Sequence, residues 1–163
     1  MKFALSPRVL IAVFVALAMI APLVLPAFYI TLMNYIGLSA LVALGLVLLT
    51  GVGGLTSFGQ AAFVGIGAYT TAVITTKFGY SPWLGLVAGI ALTLIVAFIL
   101  GALTLRLSGH YLPLGTIAWG ISLYFLFGTM EILGGHTGLS DIPPISIFGF
   151  ALDEGSEIFY LIL

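Results

Sequence analysis

The sequence has no cysteine, and charge is scarce: only 6% of its 163 residues are Asp, Glu, Lys or Arg. The missing thiols exclude disulfides, thiolate metal sites and a cysteine nucleophile. A soluble domain carries roughly 25% charged residues. Four Lys/Arg and five Asp/Glu cannot cover a water-facing surface for a chain that is 62% hydrophobic. With a formal net charge of -1, no basic patch points to nucleic acid. The H-E-x-x-H and G-x-S-x-G motifs are missing, and no carboxylate pair lies inside an apolar run, so no catalytic residue is assigned. No second His or carboxylate stands at metal spacing from His136, so neither a metal nor a cofactor is expected.

The scarcity is also local. Positions 9–76 contain no Asp, Glu, Lys, Arg or His. A membrane crossing takes about 20 apolar residues, so this stretch is long enough for three. Lys2 and Arg8 with Ala16-Leu17-Ala18 imitate a secretory signal, but the apolar run continues to Ile30 with no polar region before the supposed cut. Lipid is therefore the expected solvent.

The fold class read from this pattern is all-α, a polytopic transmembrane helical bundle of five complete spans plus the start of a sixth. The first span is Val9–Ile30, with Pro22 and Pro26 expected to kink or shorten it. Asn34 and Tyr35 are read as a short turn, and the second span follows from Ile36 to Gly51. The third runs from Phe58 to Thr76. Ser81 caps the fourth with Pro82 at its first turn, and it ends at Arg106. Ser108-Gly109-His110 is a turn, and Pro113 opens the fifth span to Leu133. Residues 134–157 form a loop rich in Gly and Pro, and Ile158–Leu163 begins a sixth span. The whole chain, 1–163, is read as one transmembrane domain belonging to a longer protein. Positive residues favour the cytoplasmic side. Crossing parity puts Lys2, Arg8 and Arg106 there against Lys77 opposite, so the N-terminus is expected inside and the acidic loop 134–157 outside.

Inside the oiliest region stands GVGGLTSFGQAAFVGIGAY, residues 51–69, with glycine at six positions. Ser57-Phe58-Gly59-Gln60 fits the S/T-x-x-E/Q capping box, in which Ser57 would accept from the amide of residue 60 and Gln60 would reach back. Ala61, Gly65, Ala68 and Ala72 form a stripe of small residues on one helix face, and Gly85, Gly89, Thr93, Ala97 and Gly101 form another. Small residues let membrane helices approach closely, so Ala61, Gly65, Ala68, Gly85 and Gly89 are assigned to helix packing. Thr116, Gly120, Tyr124 and Gly128 repeat the spacing with hydroxyls added. Arg106 is read as a cytoplasmic anchor that complements a helix C-terminus and reaches the headgroups.

Three blocks resemble a known family. GVGGLTSFGQAAFVGIGAY resembles the signature of the inner-membrane permease subunits of branched-chain amino acid ABC importers, the LivM type. That signature has a glycine-rich lead, then S-x-G-H/Q-A-A-F and G-x-G-A-Y, matched by Ser57, Gly59, Gln60, Ala61, Ala62, Phe63, Gly65, Gly67, Ala68 and Tyr69. RLSGHYLPLGTIAWG resembles the family's R-L-x-G-x-Y stretch through Arg106, Leu107, Gly109 and Tyr111. GGHTGLSDIPP resembles its T-G-x-x-G-L/T-G-L loop through Thr137, Gly138 and Leu139. The resemblance implies half of a heterodimeric pore in a bacterial inner membrane. Its implied partners are a second permease subunit, cytoplasmic ATP-binding subunits and a periplasmic amino-acid-binding protein. The family's ATPase-docking loop is expected further along the longer protein.

Within such a pore Ser57, Gln60, Tyr69, Thr116 and Tyr124 are the residues with polar atoms to offer a translocation path. Each has a plainer reading beside it: a helix cap for Ser57 and Gln60, packing for Tyr69, Thr116 and Tyr124. Urea or amide transport by the same family is an alternative. So is a channel or a structural membrane subunit. An ion-coupled carrier needs buried ionisable groups, and the first three spans offer none.

Overall fold

Proline decides where the first helix stops. In the computed structural model, which describes residues 6–104, 106–107, 111–147 and 150–163, α1 spans Pro7–Val24 and α2 spans Ala27–Gly51. Pro22 sits within α1 without ending it. The break comes at Leu25, whose extended backbone (φ -86°, ψ 141°) is what a following proline imposes. The expected span Val9–Ile30 is thus two helices. The expected turn at Asn34-Tyr35 does not exist: both residues lie inside α2. Lys2 and Ser108-Gly109-His110 lie outside the described residues.

The chain separates into two compact units, residues 1–42 with 152–163, and Ala43–Ala151. In the first, α1 packs with α6, Gly155–Ile162. Ala18, Ile30 and Phe159 form its buried core, with Leu25 and Met33 against them. Two bonds reach across the sequence: Tyr160 Oη donates to the Met19 carbonyl at 2.9 Å, and Asn34 Nδ2 donates to the Gly155 carbonyl at 2.9 Å. α6 starts on a reciprocal cap between the side chains of Glu154 and Glu157 and the opposite backbone amides. The sequence pattern places residues 155–157 in a loop; the helix starts there on a Glu cap rather than on Ser, Thr, Asp or Asn, the residues that usually mark such a start.

In the second unit α3 (Gln60–Thr76) packs most extensively on α4 (Pro82–Thr104), and both touch α5 (Tyr111–Thr129). The fifth helix stops at Thr129, short of the expected Leu133; Glu131–Leu133 and Gly135–Thr137 are single 3₁₀ turns. Gly134 between them has φ +80°, and a side chain there would overlap the Gly138 carbonyl. A two-stranded hairpin follows, β1 (Ile145–Ile147) with β2 (Phe150–Leu152), and Trp83 Nε1 donates to the Ser146 carbonyl at 2.7 Å.

The glycine cluster after α2 has a steric cause. Gly54 has φ +62°, and this turns the chain so that the amide of Leu55 donates back to the carbonyl of Leu49 at 3.2 Å. A Cβ on Gly53 would stand 2.6 Å from that same carbonyl oxygen. The reversal therefore satisfies helix-end carbonyls internally, which a lipid environment requires.

The protein is an all-α membrane protein. α2, α4 and α5 are each long and apolar enough to cross a bilayer, and few of their residues are buried. Phe98, at 79% exposed, shows the pattern. α1 and α3 are shorter, at 18 and 17 residues, and α6 has eight.

Candidate functional site

Helices α3 and α5 begin close together, and the link is one threonine. Thr116 Oγ1 accepts from the Phe58 amide at 3.0 Å and donates to the Pro113 carbonyl at 2.9 Å. Ser57 lies beside it, with Oγ accepting from the Gly59 amide at 3.3 Å. This differs from the expected capping box. The N-cap of α3 is Gly59, no side chain caps it, and the helix starts at Gln60 rather than Phe58. Ser57 Oγ takes the Gly59 amide rather than that of Gln60, and the separate bond from Phe58 N–H to Thr116 ties the loop to α5.

Two cavities flank α3, sharing Ala62 as a wall. The first, of about 250 Å³, is bounded by Ser57, Gly59, Thr104, Thr116 and Trp119 among apolar side chains. Its hydroxyls are largely committed: Thr104 Oγ1 donates to the Leu100 carbonyl at 2.6 Å, and Thr116 is doubly engaged. The second, of about 310 Å³, lies between α3 and α5 and is lined by Gly65, Tyr69, Gly120, Tyr124, Gly128 and His136. Tyr69 stacks at a tilt on Phe127, centroids 5.2 Å apart. His136, in the loop after α5, is exposed and borders this second cavity. It sits over Gly128, where a Cβ would come within 3.0 Å of the imidazole. The bare backbone at Gly128 was the available signal.

The five path candidates thus divide. Ser57 and Thr116 meet at the first cavity, Tyr69 and Tyr124 at the second, and half-buried Gln60 borders neither. Among the packing candidates, Gly85 and Gly89 are buried against α3, opposite Thr71 and Gly67. Gly65 faces the Phe127 ring of α5, at 2.8 Å from a would-be Cβ. Ala61 and Ala68 are exposed. The α3 face that meets α4 carries Gly67 and Thr71, one step round the helix from the stripe chosen on spacing alone. Arg106 is exposed in the turn after α4.

Residues 28–163 match the family described as branched-chain amino acid transport system, permease component. The chain belongs to this family. Among its members, the high-affinity branched-chain amino acid transport system permease protein LivM of Salmonella typhimurium is 34% identical over 118 residues, 72% of this chain and 28% of the relative. LivM of Escherichia coli is 36% identical over 110 residues, 67% of this chain and 26% of the relative. The chain thus spans about a quarter of the length of these curated relatives. No solved structure matches. Placed on the fold, the family-like block 51–69 supplies the chain reversal and the half of α3 that borders both cavities, and the Thr137-Gly138 block closes the 3₁₀ turn that carries His136.

Proposed function

We propose that this chain is part of the permease subunit of an ATP-driven importer, forming half of the translocation path for branched-chain or related amino acids across a bacterial inner membrane. The observation that carries the reading is the family match over residues 28–163. The absence of ionisable residues from positions 9–76 favours an external energy source over ion coupling. In this reading the chain performs no chemistry. ATP is hydrolysed by cytoplasmic partner subunits, a second permease subunit completes the pore, and a periplasmic binding protein delivers the solute. Ser57, Thr116, Tyr69 and Tyr124 border the path, with Gln60 at the start of α3. α1 to α5 are the five crossings, and α6 begins a sixth.

Uptake of labelled leucine tests the assignment. A strain lacking the gene is expected to lose most high-affinity leucine, isoleucine or valine uptake and to regain it from a plasmid-borne full-length copy. Unchanged uptake of every branched-chain and related amino acid removes the importer assignment, and loss of labelled urea uptake alone redirects it to amides.

The orientation, with the N-terminus in the cytoplasm, makes a separate prediction. Ser81→Cys and Leu107→Cys, both at exposed positions, are expected to react with an impermeant maleimide from opposite faces, the first in intact cells and the second only after permeabilisation. Labelling from one side refutes the crossing order.

A further inference from the structure

The second cavity is bordered by polar side chains that no other described protein group engages by hydrogen bonding: Tyr69 is half-buried, and Tyr124 and His136 are exposed. Among the described residues, no hydrogen bond engages Tyr69 Oη, Tyr124 Oη or the His136 imidazole, although all three side chains border the same space of about 310 Å³. That volume falls at the lower end of the roughly 300–1,000 Å³ typical of small-ligand sites. No residue lining it is Asp, Glu, Lys or Arg, so among the described residues none supplies a counter-ion to a solute with a net charge, whose burial there would go uncompensated. A zwitterion brings its own. The phenol hydroxyls and one imidazole N–H are donors suited to a carboxylate. The rings of Tyr69, Tyr124, Phe125 and Phe127 offer π faces to an ammonium group. The first cavity is poorer in such donors: its threonine hydroxyls are spent on backbone groups, which leaves the Ser57 hydroxyl and the Trp119 indole N–H.

We infer that the cavity between α3 and α5 is the station where the headgroup of a small, net-neutral amino acid rests during passage, its carboxylate held by Tyr69, Tyr124 and His136 and its ammonium against the aromatic rings. The inference rests on the importer reading and adds to it the site, the donors and a preference for solutes without net charge. Gly120 is the probe position. It borders the cavity, and a Cβ there meets nothing nearer than the Phe58 carbonyl at 3.9 Å.

The test uses membranes carrying the full-length importer with Gly120→Cys, treated with N-ethylmaleimide and read by mass spectrometry of the peptide containing position 120. Leucine at ten times its dissociation constant is expected to slow modification roughly tenfold, the mass-action ratio of total to empty sites, while lysine at the same concentration leaves the rate unchanged. Adding Tyr69→Phe and Tyr124→Phe together is expected to abolish the protection. Equal rates with and without leucine overturn the inference, as does protection that survives loss of both hydroxyls. Ala61→Cys, on the same cavity wall, serves as the probe if the Gly120 variant does not assemble. A wild-type importer that takes up leucine while both cysteines stay unprotected discards this site and leaves the importer reading standing. Absence of uptake by the wild type discards that reading.

Discussion

Replacing Gly89 with leucine is expected to remove most of the folded protein from the membrane. A Cβ at this position would stand 3.0 Å from the Gly67 carbonyl oxygen, 3.2 Å from Thr71 Oγ1 and 3.6 Å from the Gly67 Cα. Two of those three atoms are backbone, so no rotamer change relieves the clash, and the helices must move apart. In lipid there is no hydrophobic driving force to hold separated helices together; close packing is the main attraction between them. Overpacking costs about 1–3 kcal/mol even in water-soluble cores, and here the seam joins the two most extensively packed helices of the unit. The measurement is the yield of monodisperse protein after detergent extraction, with its thermal midpoint. Gly89→Ala should fall between the two, since one methyl needs only a few tenths of an ångström. Gly45→Leu is the control, because nothing lies within 4 Å of its would-be Cβ; it should keep wild-type yield. Equal yield and midpoint for Gly89→Leu and wild type would show that α3 and α4 are not held by this contact.

Thr116→Val is expected to destabilise the protein by about 1–3 kcal/mol, the cost of leaving a polar group without its partner. The two side chains have the same shape, so packing is conserved and only the hydroxyl is lost. That hydroxyl is the one side-chain acceptor for the Phe58 amide at 3.0 Å. Without it the segment 52–59 loses its tie to α5, and the wall of the apolar cavity loosens. Thr116→Ser retains the oxygen and is expected to recover most of the difference. Thermal midpoints of the three proteins in one detergent decide the matter. If valine and serine behave alike, the oxygen does not hold the loop. The same comparison separates the two roles assigned to Thr116, because a path residue that merely lines the pore would alter uptake without lowering the midpoint.

The long apolar helices were legible because their signal is additive. Pro82 and the uncharged run that follows it set α4 to within two residues of its observed end, and α5 was displaced only slightly. The errors arose where a single polar residue was made to carry a boundary. Asn34 looked like a turn residue, yet it sits mid-helix because its amide bonds the Gly155 carbonyl, 121 positions away. Nothing local could announce that partner. Ser57 and Gln60 match a cap pattern, but the Ser57 hydroxyl bonds the Gly59 amide and the loop is fixed through the Phe58 amide to Thr116, 58 residues on. Of the positions picked out by the period of four, Gly85 and Gly89 lie against Gly67 and Thr71 of α3, and Gly65 lies against Phe127 of α5. The Tyr69–Tyr124 cavity was half visible. Both tyrosines were chosen from sequence, but His136 joins them only because two left-handed glycines, Gly134 and Gly135, fold the loop back over Gly128.

The threonines of α3 carry a mechanical consequence. Thr70, Thr71, Thr75 and Thr76 each donate to a carbonyl of their own helix, at 2.6 to 3.1 Å. Among the described residues, no side-chain hydrogen bond crosses from α3 to α4. Their joint holds by close contact alone: Gly85 and Gly89 seat against Thr71 and Gly67, and no side-chain hydrogen bond has to break when the helices part, so the strength of the seam rests on how closely the two backbones approach.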